Sequence, residues 1–203
     1  MNGFLQHTKY HIYDVWEHTV RTVENIEPKA HLRLTMLLHD TGKPSKFTMD
    51  AHGVGHFYGH GTVSCEIAKE FLEKYKYDNF TKARVLELIK IHDTPIEPDR
   101  VLIKKRINRI GKDTFFELLR VKRADDLAKS PEYKTTEVLD KIEDIANEII
   151  KEECFTLASL KISGYDLILL GFMGREIGKA LDLLLNEVIE EKIENEKKSG
   201  NSK

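Results

Sequence analysis

Long apolar runs are absent: no stretch of the 203 residues approaches the roughly 20 that a membrane-spanning helix needs. The opening MNGFLQHTKY has no basic region leading into an apolar core, so it does not read as a signal peptide. A cytoplasmic chain with no membrane partner is expected. Cysteine is scarce. Cys65 and Cys154 lie far apart with no CxxC spacing, which argues against a disulfide framework and a zinc–thiolate site, and both are expected to be buried small hydrophobes. An excess of one charge is lacking as well. With 32 Lys and Arg against 34 Asp and Glu, a formal net charge of -2 gives no overall footprint for nucleic acid. One local basic run, Lys104 to Arg106 followed by Arg109, reads first as a solvated helix face, with a nucleic-acid patch as the alternative.

What remains is an ordinary globular composition, 40% hydrophobic and 33% charged, in a chain long enough to bury a core. Apolar residues recur at spacings of three and four nearly throughout, as in Ile12, Val15, Trp16, Val20, Val23 and again in Ile67, Ala68, Phe71, Leu72. The fold class that follows is all-α, with about seven to nine helices. Helices are expected over 11–26, 29–41, 60–76, 80–92, 98–110, 113–128, 134–153 and 175–198. The segment Thr48 to Gly59 has three glycines and no helical period, and reads as a loop. Ser163 is placed to cap a short helix that stops at Gly171, before the last helix starts beyond Gly174.

Histidine is distributed unevenly. All nine fall within the first 92 residues. His18 sits at the border of the apolar face of the first helix, and His39 and Asp40 end the second. His60 opens the third, His92 follows Val85, Leu88 and Ile89 at helical spacing, and Asp125 follows Leu118 and Val121. Six imidazole or carboxylate groups thus stand at the inward margins of five elements or helix ends. For one His–Asp pair alone, a core histidine bonded to a capping aspartate is the better account. Five such positions on separate helices favour a metal, and imidazole with carboxylate and no thiolate suits Mn, Fe, Co, Ni or Zn. Lys43 is placed either to pair with a phosphate oxygen or as a surface lysine at a helix end. Gly42 is expected to end its helix at positive φ, and Asp14 to accept a hydrogen bond from a ligand imidazole.

These residues carry a resemblance. His18, the His39-Asp40 doublet and Asp125 in RADDLA are similar to the H…HD…D signature of HD-domain metal-dependent phosphohydrolases. The blocks YHIYDVWEHT, LLHDTGKP, HFYGHGTVS, IKIHD and LKISGYDLILLGFMGREIGKALDLLLNEV resemble the C-terminal HD region of bacterial CCA-adding tRNA nucleotidyltransferases. The resemblance implies an HD core over 1–128, with 129–203 a helical extension packed on it as one structural unit. It implies one or two divalent ions, Mg included, held by His18, His39, Asp40 and Asp125 and by His60 and His92, with Asp40 bridging and His56 a weaker candidate. Asp40 and Lys43 are then the catalytic pair, and Lys43, Arg123 and His11 the substrate contacts, with Asp126 in reserve for Asp125. Water activated at the metal would attack phosphorus in a nucleotide phosphomonoester or a 2′,3′-cyclic phosphodiester. The alternative is a metal-stapled RNA-binding or interaction module without hydrolysis. Those transferases hold their catalytic magnesium on a D-x-D in a separate head, and no D-x-D occurs here, so nucleotide addition by this chain is not expected. It reads as a free-standing HD protein or as part of a longer one. The acidic run Glu187, Glu190, Glu191 and Glu194 would make a poor tRNA ligand, so little tRNA affinity is expected.

Overall fold

The computed structural model describes residues 1–152 and 155–197; Cys154 lies outside them. The fold is all-α. Eight helices of nine residues or more are present among the described residues: α1 (Val15–Asn25), α2 (Ala30–Leu38), α4 (His60–Lys74), α5 (Asn79–Ile91), α6 (Arg100–Ile110), α7 (Lys112–Leu127), α8 (Thr136–Glu152) and α10 (Arg175–Ile189). Two short ones, α3 (Lys43–Lys46) and α9 (Gly164–Leu169), complete the helical set. The loop after α3 folds into a small antiparallel hairpin, β1 (Thr48–Met49) against β2 (Gly55–His56), with Thr48 opposite His56.

Aspartates set the helix starts. Asp14, Asp78 and Asp99 each accept a hydrogen bond from the third residue of the helix they precede, which satisfies one of its orphan N–H groups. Asp14 also accepts from Gly3 N at 2.7 Å, so its carboxylate is spent on main-chain donors and not on an imidazole. Because Asp14 caps, α1 begins at Val15 and His11 precedes it. The inward face of α1 is Val15, His18, Thr19 and Thr22, while Ile12 and Trp16 are exposed. The threonines tolerate burial because each returns its hydroxyl to the helix, Thr19 to Val15 O and Thr22 to Thr19 O, both at 2.7 Å.

The chain divides into two units. The first joins 1–95 to 113–140. In it α2 packs on α1, α4 and α5 around Leu34, Leu38, Ala68, Leu72, Val85 and Ile89. Cys65, half-buried, borders this cluster. The second unit joins 96–112 to 141–203, with α10 against α6 and α9. Here the basic run meets the acidic one. Lys104, 3% exposed, reaches Glu191 at 2.7 Å, and Lys105 reaches Glu190 at 2.5 Å. Part of the run is therefore an ion-paired seam and not a solvated face. No helix of the described residues is long and apolar enough to cross a membrane.

Candidate metal centre

Helix ends bring the ligand types together. His39 is the C-cap of α2, Asp40 follows it, His60 is the first residue of α4, and His92 is the C-cap of α5. His18 comes from mid-α1 and Asp125 from the last turn of α7. Asp40 is the hub. Its Oδ2 lies 3.3 Å from His39 Nε2 and 3.7 Å from His18 Nε2, while its Oδ1 lies 3.4 Å from His60 Nε2. His60 and His92 meet Nε2 to Nε2 at 3.3 Å. Asp125 Oδ1 completes the first side, 3.0 Å from His18 Nε2 and 3.7 Å from His39 Nε2. Two overlapping sets result, His18–His39–Asp40 and Asp40–His60–His92, each with ligand atoms within 4.8 Å of one another.

The far nitrogen of each ring explains the orientation. His18 Nδ1 faces Ala128 O at 3.4 Å, His39 Nδ1 faces Met36 O at 2.6 Å, His60 Nδ1 faces Phe57 O at 2.9 Å, and His92 Nδ1 faces Ile89 O at 2.6 Å. A carbonyl only accepts, so Nδ1 carries the proton in neutral His39, His60 and His92 and their Nε2 atoms turn a lone pair inward, whereas His18 Nε2 also faces an acceptor, Asp125 Oδ1 at 3.0 Å, and hydrogen-bonds it. Three imidazole lone pairs and the Asp40 carboxylate then converge with no proton assigned between them. Left so, buried acceptors face one another without a donor between them, at a cost of several kcal/mol. His39 Nε2 and Asp40 Oδ2 are buried without an aligned hydrogen bond, an orphaned pair that a cation between them would satisfy. The donor set of imidazole and carboxylate fits a first-row divalent ion.

The electrostatics agree. Burial acts to lower the His39 imidazole, but the Asp40 carboxylate beside it, with Asp125, outweighs that and holds its pKa at about 10. Burial acts to raise Asp40, and His39 with Lys43 overrides it, holding the carboxyl well below its usual range. Burial likewise opposes the ionised Asp125, and hydrogen bonds from His18 and His39 keep it ionised. The two carboxylates thus call for positive charge, which without a metal is a proton on His39. His92 goes the other way, lowered to about 4 by burial and by the charge on His39.

Around these groups, Lys43 Nζ lies 2.7 Å from Asp40 Oδ2 and donates to Gln6 Oε1 at 2.8 Å. Gln6 reaches it because Gly55 lets the N-terminal segment lie against the hairpin, where a Cβ would overlap Gln6 O, and Gly55 N bonds His7 O at 2.8 Å. Gly42 has φ -80 and not the positive value expected of it. Glycine is needed there for space: a Cβ would collide with the His60 carbonyl and Ser64 N of α4. His11 stands edge-on to His18 with ring centroids 5.0 Å apart, and burial lowers its pKa to about 3.

Other sequence candidates lie elsewhere. Arg123 pairs with Asp140 at 2.6 Å, and His56 pairs with Asp50 at 3.0 Å on the exposed hairpin. Asp126 turns away from the centre to accept from Thr135 N at 2.7 Å. Sequence reasoning missed Lys129, whose Nζ lies 2.9 Å from Asp125 Oδ2. The signal was available, since Asp125 and Lys129 are four residues apart at the end of a helix.

Residues 60–199 match the family model described as tRNA nucleotidyltransferase domain 2. The chain belongs to that family. The matched residues hold His60, His92 and Asp125, while His18, His39 and Asp40 precede them. This member of the tRNA nucleotidyltransferase domain 2 family is 30% identical over 129 residues to an A-adding tRNA nucleotidyltransferase of Deinococcus radiodurans, across 60% of this chain and 30% of that protein. It therefore spans less than a third of that relative's length. No solved structure matches at a significant level.

Proposed function

We propose that this chain is an HD-domain metal-dependent phosphohydrolase acting on nucleotide phosphomonoesters or 2′,3′-cyclic phosphodiesters. The observation that carries the reading is Asp40, whose two oxygens serve two separate imidazole sets within one buried centre. His18, His39, Asp40 and Asp125 would hold one ion, and His60 and His92 would hold or border a second that shares Asp40. A divalent first-row ion bound there supplies a water nucleophile near neutral pH and a Lewis acid for phosphoryl oxygens. The protein's own part is orientation and charge. Main-chain carbonyls orient the rings, and Lys43, ion-paired with Asp40 and donating one N–H to Gln6, keeps donor capacity for a phosphate oxygen. His11, neutral beside His18, offers a substrate a hydrogen bond and not a charge. Substrate contact by Arg123 would require breaking its Asp140 pair, so the reading rests on Lys43.

The relative's name, a tRNA nucleotidyltransferase, favours a second reading: a metal-stapled RNA-binding or interaction module without hydrolysis. The pairing of Lys104 and Lys105 with acidic groups weakens that reading, since it withdraws positive charge from a phosphate backbone. Metal-stripped protein supplied with Mn²⁺, Co²⁺ or Ni²⁺ and offered 2′,3′-cyclic AMP, AMP and a chromogenic phosphodiester separates the two. Turnover that requires the metal supports the hydrolase. Stoichiometric metal with no turnover of any ester sinks it.

A further inference from the structure

The turn that closes α7 carries more of the centre than Asp125. Ala128 N bonds Asp125 O and Lys129 N bonds Asp126 O, both at 3.1 Å, while Ala128 O faces His18 Nδ1 at 3.4 Å. Ser130 N then anchors the turn to Tyr10 O at 3.0 Å. Within it the two oxygens of Asp125 have different neighbours. Oδ1 faces His18 Nε2 at 3.0 Å, and Oδ2 faces Lys129 Nζ at 2.9 Å. Lys129 also lies 3.9 Å from Asp126 Oδ1, and its side chain is only a quarter exposed. A charged lysine flanked by two carboxylates stays on them.

We propose that Lys129 is a positioning residue that restricts Asp125 to one-oxygen ligation, and thereby biases the centre toward ions of lower coordination number. The inference rests on the metal reading above and concerns which ion is preferred. A carboxylate can bind a cation through one oxygen or both, and the two-oxygen mode raises coordination number and suits larger ions. With Oδ2 held by an ammonium, only Oδ1 is available on the imidazole side. Lys43 does not act likewise on Asp40, because the oxygen it contacts, Oδ2, is the same one that faces His39 and His18. Asp40 is left to bridge, whereas Asp125 is narrowed to a single donor.

Substitution of Lys129 tests this through metal preference, with no need for turnover. Mn²⁺ and Co²⁺ carry the same charge, so a merely repelling ammonium, or a general loosening of the fold, changes both affinities by the same factor. Release of Asp125 Oδ2 does not, because it favours the larger ion. Calorimetric titration of metal-stripped protein with each ion is expected to show the Mn²⁺-to-Co²⁺ affinity ratio of Lys129→Met moving toward Mn²⁺ by roughly tenfold, the lower end of what loss of a ligand's supporting partner does. Lys129→Arg, which keeps a charged donor, is expected to restore the ratio, and the visible bands of the Co²⁺ form are expected to weaken in Lys129→Met alone. An unchanged ratio in Lys129→Met, or a shift in Lys129→Arg equal to that in Lys129→Met, overturns the proposal. Should Lys129→Met not fold, Lys129→Gln takes its place with the same expectation. If the unsubstituted protein binds neither ion, the metal reading itself has failed, and this inference falls with it.

Discussion

His60 and His92 face each other Nε2 to Nε2 at 3.3 Å, while their Nδ1 atoms are committed to the carbonyls of Phe57 and Ile89. Neither ring can donate to the other without giving up a buried main-chain bond. The pair is therefore a candidate position for a cation, and it shares Asp40 with the set formed by His18 and His39.

That hierarchy predicts unequal losses. Asp40→Ala removes the group common to both imidazole sets and is expected to abolish metal binding. His92→Ala leaves His18, His39, Asp40 and Asp125 intact and is expected to lose at most one ion of two. Elemental analysis of both variants after loading with Mn²⁺ or Co²⁺ reads the stoichiometry directly. Equal retention in the two would mean that Asp40 is not shared.

Without metal, three imidazoles make stability depend on pH in opposing ways. His39 is held at about 10, above its ordinary 6.5. Its contribution is complete below pH 6.5 and is lost as pH rises toward 10, because the folded state keeps a proton that the unfolded state releases. His92 at about 4 and His11 at about 3 are depressed, so their contributions hold above 6.5 and are lost as pH falls toward those values. The urea midpoint of metal-stripped protein is expected to peak near pH 6.5. Saturating Co²⁺ takes the place of the His39 proton and should flatten the alkaline limb. A midpoint of the metal-free protein that climbs throughout the alkaline range would contradict the charge demand of Asp40 and Asp125.

Gly42 and Gly61 separate two uses of glycine. A Cβ on Gly42 would meet the His60 carbonyl, with Ser64 N at 2.8 Å and Val63 Cβ at 2.9 Å. One on Gly61 would meet nothing closer than Ile89 O at 3.7 Å. Gly42→Ala is expected to cost about 1–3 kcal/mol, the range of overpacked cores, and to weaken metal binding through His60. Gly61→Ala, inside α4, is expected to be neutral or stabilising by up to about 1 kcal/mol. Denaturant unfolding of both variants decides it.

These two positions also show what was legible in the sequence. The helices were, because spacing of three and four survives wherever one face is buried, and so was the clustering of imidazole with carboxylate, because such groups at helix ends are costly without a partner. Gly42 was misread because a glycine after a helix looks the same whether the chain needs positive φ or close approach, and only the arrival of α4 tells them apart. The start of α1 was set too early for a similar reason. Ile12 and Trp16 continue the apolar spacing but face solvent, and the buried stripe is Val15 with the polar His18, Thr19 and Thr22. Lys129 was overlooked although its four-residue spacing from Asp125 was there to read; only which oxygen of Asp125 it takes depends on the tertiary placement of His18.

Asp125 and Asp126 are adjacent yet have separable jobs. Asp125 presents Oδ1 to His18 and His39. Asp126, 1% exposed, accepts from Thr135 N at 2.7 Å, Thr135 Oγ1 at 2.9 Å and Thr136 Oγ1 at 3.1 Å, and so secures the start of α8. Asp126→Ala removes the shared acceptor of three donors on exposed Thr135 and half-buried Thr136, at a cost of about 1–2 kcal/mol, while leaving every candidate ligand in place. Asp125→Asn keeps shape and volume but removes a charge that His18, His39 and Lys129 face, so it should weaken Co²⁺ binding and also cost the metal-free protein stability. Co²⁺ titrations should therefore separate the two variants, Asp126→Ala keeping the affinity that Asp125→Asn loses. Should Asp126→Ala lose the metal while Asp125→Asn keeps it, the register of the ligand on α7 would be off by one residue, and the charge assigned to the centre would have to be rebuilt around Asp126.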